Sequence, residues 1–156
     1  MSTTRAVFHI LLVEDSRADA MILERALREE EIAHRLTVIP DGRDALDYLF
    51  SLRGEPAGTD RKPDLILLDL NLPGLDGCQV LSQIKSDPDL RIIPVIVLTT
   101  SQRDEDILQT YQAGANTYIS KPAEYSRYCA LVATLRDYWI NTALKVSHPL
   151  PRREDP

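Results

Sequence analysis

Short apolar runs alternate regularly along this chain with longer stretches of helical periodicity. Runs such as residues 9–13 and 65–68 are short and continuously apolar, which is typical of strands covered on both faces. Between them, apolar residues recur at helical spacing, as in Ala20, Leu23 and Leu27. Strands that alternate with helices predict a parallel sheet with helices on both faces.

The alternation predicts an α/β fold of (βα)5 type, a doubly wound parallel sheet with the flavodoxin-like strand order 2-1-3-4-5. We expect one domain over residues 8–141, preceded by a tail at 1–7 and followed by a flexible extension at 142–156. Residues 54–63 have no periodicity and predict an exposed loop. The predicted strands are 9–13, 36–39, 65–68, 92–98 and 117–119, and the last predicted helix runs over 124–141.

Composition excludes several function classes. The net charge of −6 disfavours a protein that binds nucleic acid through its phosphates. The apolar runs are too short to cross a bilayer, and the polar residues 1–5 indicate no targeting segment, so we expect a cytoplasmic protein that binds neither DNA nor membrane. Cys78 and Cys129 fit no metal or redox motif, and His9, His34 and His148 form no ligand pair.

Acidic residues follow two of the predicted strands. Glu14 and Asp15 come directly after the first strand, and Asp69 directly after the third. These strands are neighbours in the expected order, and the carboxyl ends of parallel strands meet at one edge of the sheet. Three carboxylates so close together oppose ionisation unless a cation joins them. Mg²⁺ suits such a site because it prefers oxygen ligands and shares phosphate oxygens.

Two further polar residues reach the same edge. Thr99 ends the fourth strand, and Lys121 follows the fifth. A carboxylate oxygen of Asp69 can attack phosphorus to form an acyl phosphate, and Lys121 with Mg²⁺ can balance the phosphoryl charge. The Thr99 hydroxyl can donate to a phosphoryl oxygen, and the backbone carbonyl of Asn71 can complete the metal shell.

These site residues and the sequence segments around them resemble the receiver domains of two-component response regulators. The resemblance covers about residues 8–141, and Thr99 and Lys121 lie 30 and 52 residues after Asp69, as in the family pattern. The matching segments are LLVEDS at 11–16, DLILLDLNLPGLDG at 64–77, PVIVLTTS at 94–101 and AGANTYISKP at 113–122.

The resemblance implies a role for each position of the site. Asp69 is the phosphoacceptor, and the donor is a phosphohistidine of a sensor histidine kinase. Asp15, Asp69 and the Asn71 carbonyl bind Mg²⁺, with Mn²⁺ as an alternative ion, and Glu14 acts mainly through water. Thr99 and Lys121 contact the phosphoryl group.

The family pattern also implies a conformational switch. Thr99 moves toward the phosphoryl group, and Tyr118 rotates inward behind it, which is a two-state element biased by one charge. The Lys121–Pro122 peptide bond is expected to be cis, as the family has it there. Ser101, two residues after Thr99, is neither acid nor amide and would assist hydrolysis poorly, which predicts a long-lived phosphorylated state.

The long segment 51–74 and the Asp137-Tyr138-Trp139 end resemble the single-domain regulators of cyanobacterial and bacterial phytochromes, which implies a phytochrome-type kinase as partner. Large aromatics are enriched at interfaces, and the resemblance implies that the helix 4–strand 5–helix 5 face is the one that forms a homodimer, as in many receivers. The apolar residues that suggest it are Tyr125, Tyr128, Leu131, Leu135, Tyr138 and Trp139.

Several alternatives compete with this interpretation. A flavodoxin-like electron carrier would need a phosphate-binding loop where Glu14 and Asp15 stand, and a haloacid-dehalogenase phosphatase would need an acid where Asn71 stands. A receiver-like adaptor that works without phosphorylation, or an intermediate in a phosphorelay, remains open. We expect a signalling switch rather than an enzyme, which catalyses only its own phosphorylation and dephosphorylation and acts through protein contacts.

Overall fold

A computed structural model describes residues 7–55 and 62–143 of the chain. The predicted tails at 1–7 and 142–156, apart from residues 7, 142 and 143, lie outside the described residues, as does the middle of the 54–63 loop. Within these residues, five strands alternate with five α-helices. They are β1 (Phe8–Val13), α1 (Arg17–Glu29), β2 (His34–Ile39), α2 (Gly42–Ser51), β3 (Leu65–Leu68), α3 (Gly77–Ser86), β4 (Val95–Thr99), α4 (Asp104–Gln112), β5 (Thr117–Ser120) and α5 (Tyr125–Leu135).

The five strands form one sheet in the order β2-β1-β3-β4-β5, and every neighbouring pair is parallel. This confirms the predicted fold class and strand order. Val13 of β1 pairs with Leu68 of β3, so these two strands end level with each other. The strand order reverses between them, which leaves a crevice at their carboxyl ends.

Alternate residues of each central strand enter two separate cores. Leu11 and Val13 pack in the core on the α2 and α3 face, whereas Ile10 and Leu12 pack in the core on the α1 and α5 face. Side chains on a strand alternate between faces, so a strand buried on both sides must be apolar throughout. The sheet is therefore packed on both faces beneath its carboxyl edge.

Side-chain caps fix where three of the helices begin. The Ser16 hydroxyl accepts a hydrogen bond from the Asp19 amide at the start of α1, and Asp41 caps α2 in the same way. Asp76 and Gln79 form a reciprocal capping box at the start of α3. Such caps satisfy amides that have no partner within the helix.

The end of the chain differs from the sequence-based expectation. The predicted helix over 124–141 is α-helical only to Leu135 and continues as a π-helical turn over Arg136–Ile140. The Asn141 amide there donates to the carbonyl of Arg136, five residues earlier. Periodicity could not reveal this turn, since the two helix types differ by one residue in hydrogen-bond spacing.

The prediction of an exposed loop at 54–63 was wrong at its end, because the Lys62 side chain is buried. Its ammonium lies 3.0 Å from the Asp89 carboxylate, which also accepts a hydrogen bond from the Gly54 amide at 2.8 Å. A charge can be buried there because it is paired. Within the described segments, no helix is long and apolar enough to cross a membrane.

Candidate functional site

The carboxyl ends of β1 and β3 bring two acids side by side. The Asp69 amide donates to the Val13 carbonyl at 3.0 Å, which extends the β1–β3 pairing just past the end of β3. Glu14 follows Val13 directly. Both acids are buried, with 3% of Glu14 and 4% of Asp69 exposed, so their charges need partners within the protein or from an ion.

Three carboxylates converge at this edge, as predicted. One oxygen each from Glu14, Asp15 and Asp69 lies within 4.8 Å of the others, and Asp15 is the exposed member. Oxygen atoms alone form the group, which is the donor set that Mg²⁺, Ca²⁺ and Mn²⁺ prefer over softer metals. The residues present therefore fit a divalent cation, and the exposed side of Asp15 leaves a path for it to enter.

Lys121 lies at the centre of the acidic group. Its ammonium is 2.7 Å from Glu14, 2.8 Å from Asp19 and 2.9 Å from Asp69. The side chain is only 7% exposed. Its backbone amide donates to the Thr99 carbonyl at 2.8 Å, which fixes the start of the side chain beside β4.

Burial and Lys121 act on the acids in opposite directions. Burial raises the pKa of Glu14 from 4.5 to about 7, although hydrogen bonds from Lys121 and the Ser16 amide oppose the rise. Burial acts to raise the pKa of Asp69 too, but hydrogen bonds from Lys121 and the Asn71 amide outweigh it and lower that pKa. Burial would lower the pKa of Lys121, yet its three carboxylate partners raise it. Of these two buried acids, Asp69 is therefore the one better held as an anion.

Short loops after β3 hold Asp69 in place. The Asn71 amide donates to Asp69 Oδ1 at 3.1 Å. Gly77, the first residue of α3, packs against the Asp69 backbone so closely that a Cβ there would lie 2.3 Å from the Asp69 carbonyl oxygen. A glycine is needed at this contact because no side chain fits.

The predicted switch residues Thr99 and Tyr118 each contact a loop at this edge of the sheet. Thr99 is fully buried, and its hydroxyl accepts a hydrogen bond from the Asn71 side-chain amide at 3.4 Å. The Tyr118 hydroxyl donates to the Ser101 carbonyl at 2.8 Å, in the loop between β4 and α4. Tyr118 is thus tied to the loop that follows Thr99 and packs against the α2 and α3 core.

The expected cis bond at Lys121–Pro122 is wrong, because every peptide bond within 7–55 and 62–143 is trans. The trans form is the more stable one for most bonds before proline. The contacts of the Lys121 ammonium with Glu14 and Asp69 are made with the trans bond in place.

Sequence reasoning missed Asp19. The residue stands in the first turn of α1, four positions after Asp15, and contacts Lys121 at 2.8 Å. Acids are common in the first turn of a helix because they interact favourably with the helix dipole, so Asp19 did not suggest a role in the site. The sequence feature that could have indicated one is its position, one helical turn after the acidic pair Glu14 and Asp15.

The fold and the site together define a doubly wound α/β domain with a buried, lysine-neutralised aspartate at its switch point. The chain belongs to the response regulator receiver domain family, whose sequence profile matches residues 10–133. Receiver domains are signalling proteins that accept phosphoryl groups from sensor histidine kinases. The resemblance found in the sequence motifs is thereby confirmed.

Two relatives of similar sequence identity carry names that indicate different roles. Response regulator Rcp1 of Synechocystis sp. is 41% identical over 133 residues, which cover 85% of this chain and 89% of Rcp1. A probable methanogenesis regulatory protein, FilR2 of Methanothrix harundinacea, is 43% identical over 133 residues, covering 85% of this chain and 84% of FilR2.

Solved structures share both the fold and the sequence. The phosphorylated cyanobacterial phytochrome response regulator RcpA is 42% identical with a TM-score of 0.79, and the match covers 90% of this chain and 99% of RcpA. The Mn²⁺-bound form of Rcp1 is 38% identical with a TM-score of 0.76, covering 89% of this chain and 99% of Rcp1. The second structure and the acidic group here support divalent-metal binding.

Proposed function

We propose that this protein is the phosphoacceptor of a two-component system, and that Asp69 receives the phosphoryl group from a kinase phosphohistidine. One observation carries the proposal: the Asp69 carboxylate is buried within the metal-binding group and lies 2.9 Å from the Lys121 ammonium. A nucleophile, a cation site and a fixed positive charge thus meet at the point where the strand order reverses.

The chemical step uses groups already in place. An Asp69 carboxylate oxygen attacks phosphorus, the N–P bond of phosphohistidine breaks, and the departing imidazole nitrogen keeps the electron pair. The product on this chain is an acyl phosphate. The Lys121 ammonium donates to the phosphoryl oxygens, and so does the Thr99 hydroxyl.

Asp15, Asp69 and the Asn71 carbonyl would hold Mg²⁺, and Glu14 would act through a water molecule. When bound, the ion neutralises charge on the phosphoryl group and on the acids. A bound ion would also reduce the repulsion between the Glu14 and Asp69 carboxylates, because a cation between like charges favours their ionised forms. Mn²⁺ would serve in its place, and the Mn²⁺-bound structure of Rcp1 supports that choice.

Phosphorylation would act on the surface through Thr99 and Tyr118. Thr99 moves toward the phosphoryl group, and Tyr118, which is hydrogen-bonded to the loop after Thr99, follows it inward.

The output surface is the α4–β5–α5 face, where Leu108 and Tyr111 are exposed. We propose that this face forms a homodimer. Light scattering on the wild type and Leu108→Glu, with and without phosphorylation, tests it; a monomer in every wild-type sample would contradict it.

Most of the large apolar side chains in α5 and the π-helical turn after it are not exposed on the α4–β5–α5 face. Tyr128 and Leu135 are buried, and Trp139 packs against the α1 and α5 core. Tyr138 is 55% exposed and meets Trp139 edge-on. Of the residues that suggested an interface, Tyr138 is therefore the one that offers the most free surface.

The upstream partner is a phytochrome-type histidine kinase in our proposal. The similarity to RcpA, over nearly its whole length, supports this choice, whereas FilR2 is equally similar in sequence. Phosphotransfer from a purified phytochrome kinase, measured under red and far-red light, tests whether the partner is of the phytochrome type. Light-dependent transfer to the wild type and none to Asp69→Asn is the expected result.

The chemical proposal is tested without a kinase. Acetyl phosphate and Mg²⁺ should add one phosphoryl group, about 80 Da by intact mass, to the wild type. The same treatment should add nothing to Asp69→Ala or to a sample with EDTA. An unmodified wild type in both the acetyl phosphate and the kinase assay would favour the alternative, an adaptor that acts without phosphorylation.

A further inference from the structure

Asp19 is an unassigned member of the site. Its side chain is one-third exposed at the rim, and Oδ2 lies 2.8 Å from Lys121 Nζ. Ser16, which caps α1, accepts a hydrogen bond from the Asp19 backbone amide, so the first turn of the helix holds the residue in position. Lys121 is the side-chain partner that the structure gives Asp19.

The hydrogen-bond capacity of Lys121 explains why this contact matters. An ammonium has three N–H donors, and Glu14, Asp19 and Asp69 provide three acceptors within 2.9 Å. Glu14 and Asp69 also belong to the group of carboxylates that can hold a divalent cation, whereas Asp19 does not.

A bound cation therefore acts differently on the three carboxylates that contact Lys121. It draws the oxygens of Glu14 and Asp69 toward itself and repels the nearby ammonium. The Asp19 carboxylate stands outside the cation group, so its contact with Lys121 can persist. A lysine side chain with no such contact has several rotatable bonds and would lose its orientation.

We propose that Asp19 is a positioning residue, which holds the Lys121 ammonium at the phosphoryl site while a divalent cation engages Glu14 and Asp69. The inference rests on the proposed function of Asp69, and it adds a residue that acts through Lys121 rather than on the phosphoryl group itself. One N–H of Lys121 stays on Asp19, and the other two become free for phosphoryl oxygens.

The direct test observes the Lys121 ammonium by ¹⁵N NMR, with Lys121→Arg to assign its signal. Exposed ammonium groups exchange protons with water too fast to be seen, whereas a buried, paired one is visible. The wild type should show the signal in EDTA and in Mg²⁺. Asp19→Ala should lose it in Mg²⁺, where the other two partners are engaged. Alanine is favourable inside a helix, so the variant should fold.

Two matched variants make the test specific. Glu24→Ala removes an acid from an exposed position of the same helix and should behave as the wild type. Asp19→Glu retains the carboxylate and should restore the signal. At saturating Mg²⁺, Asp19→Ala should react with acetyl phosphate about three- to tenfold more slowly than Glu24→Ala.

The proposal is overturned if Asp19→Ala keeps the Lys121 signal in Mg²⁺, or if the wild type loses it there. Loss of the signal in Asp19→Ala already in EDTA would also contradict the proposal, because Glu14 and Asp69 should hold the ammonium when no cation is bound. The NMR result does not depend on phosphorylation. A failure of the proposed function, seen as an unmodified wild type, is therefore distinct from a failure of this inference.

Discussion

Lys121 Nζ lies 2.9 Å from Asp69 Oδ2, although the two residues are 52 positions apart in the chain. β4 lies between their strands in the sheet, so the lysine side chain reaches across the end of a neighbouring strand. The contact places a fixed positive charge on the proposed nucleophile before any ligand arrives. Such preorganisation avoids a rearrangement during the reaction.

Removal of Lys121 should destabilise the metal-free protein and make it respond to cations. In Lys121→Met, Glu14 and Asp69 lose their shared counter-charge, and breaking a buried ion pair in this way costs about 3 kcal/mol or more. Mg²⁺ should recover part of this loss because it supplies the missing charge. Urea unfolding with EDTA or Mg²⁺ measures both effects.

Lys62→Met is the matched control for that experiment. Lys62 is as buried as Lys121, but its partner is Asp89, away from the cation group. Its loss should destabilise the protein by the same amount in EDTA and in Mg²⁺. An equal response of the two variants to Mg²⁺ would show that the Lys121 site is not a cation site.

The stability of the metal-free protein should depend on pH through Glu14. Its pKa is raised from 4.5 to about 7, so the folded protein binds this proton more tightly than the unfolded chain does. The resulting contribution to the free energy of unfolding is complete below pH 4.5 and is lost as the pH rises through about 7.

Glu14→Gln isolates this contribution. In EDTA, the wild type should lose more stability than the variant between about pH 5 and about pH 8, as measured by urea unfolding. Mg²⁺ should reduce the difference, since a cation favours the ionised acid. Parallel pH profiles for the two proteins would contradict the raised pKa.

Gly77→Ala should disturb Asp69 through the backbone. The added Cβ would lie 2.3 Å from the Asp69 carbonyl oxygen and 2.6 Å from the Leu70 Cα, and neither atom can move as a flexible side chain would. We expect a loss of about 2 kcal/mol or more in the free energy of unfolding, with weaker Mn²⁺ binding.

Gly74→Ala serves for comparison. Gly74 has a φ of +70° and open space around it, so alanine there brings backbone strain without a collision. Its loss should be about 1 kcal/mol, with Mn²⁺ affinity unchanged. Weaker Mn²⁺ binding in Gly74→Ala than in Gly77→Ala would show that the close approach to Asp69 is unimportant.

Tyr118→Phe should separate the switch from the chemistry. It removes the hydrogen bond to the Ser101 carbonyl, which should lower stability by about 1 kcal/mol. Because the hydroxyl contacts the loop rather than Asp69, the initial rate of phosphorylation by acetyl phosphate should stay within about twofold of the wild type. A much slower reaction would mean that Tyr118 acts on the nucleophile itself.

The sequence predicted the frame of the site because the frame follows from strand ends. The apolar runs mark β1 and β3, so Glu14, Asp15 and Asp69 had to meet wherever those strands end together. Thr99 and Lys121 followed by the same reasoning. The strand order itself depended on connection rules and on the family resemblance.

The rest depends on contacts that a linear pattern does not contain. Asp19 joins the site because one helical turn brings it to Lys121, while its place in the sequence resembles an ordinary helix start. Lys62 looked like a loop residue, since its partner Asp89 is 27 positions away. The Lys121–Pro122 bond is trans, unlike the family pattern, and the ion pairs of Lys121 with Glu14 and Asp69 are present with it.

Locating the phosphoryl group on the chain tests whether Asp69 is the nucleophile. After treatment with acetyl phosphate and Mg²⁺, hydride reduction converts an aspartyl phosphate to homoserine, which peptide sequencing by mass spectrometry can place. We expect homoserine at Asp69, and none in the EDTA sample. Homoserine at Asp15 or at another aspartate, with Asp69 intact, would contradict the assignment of Asp69 as the nucleophile.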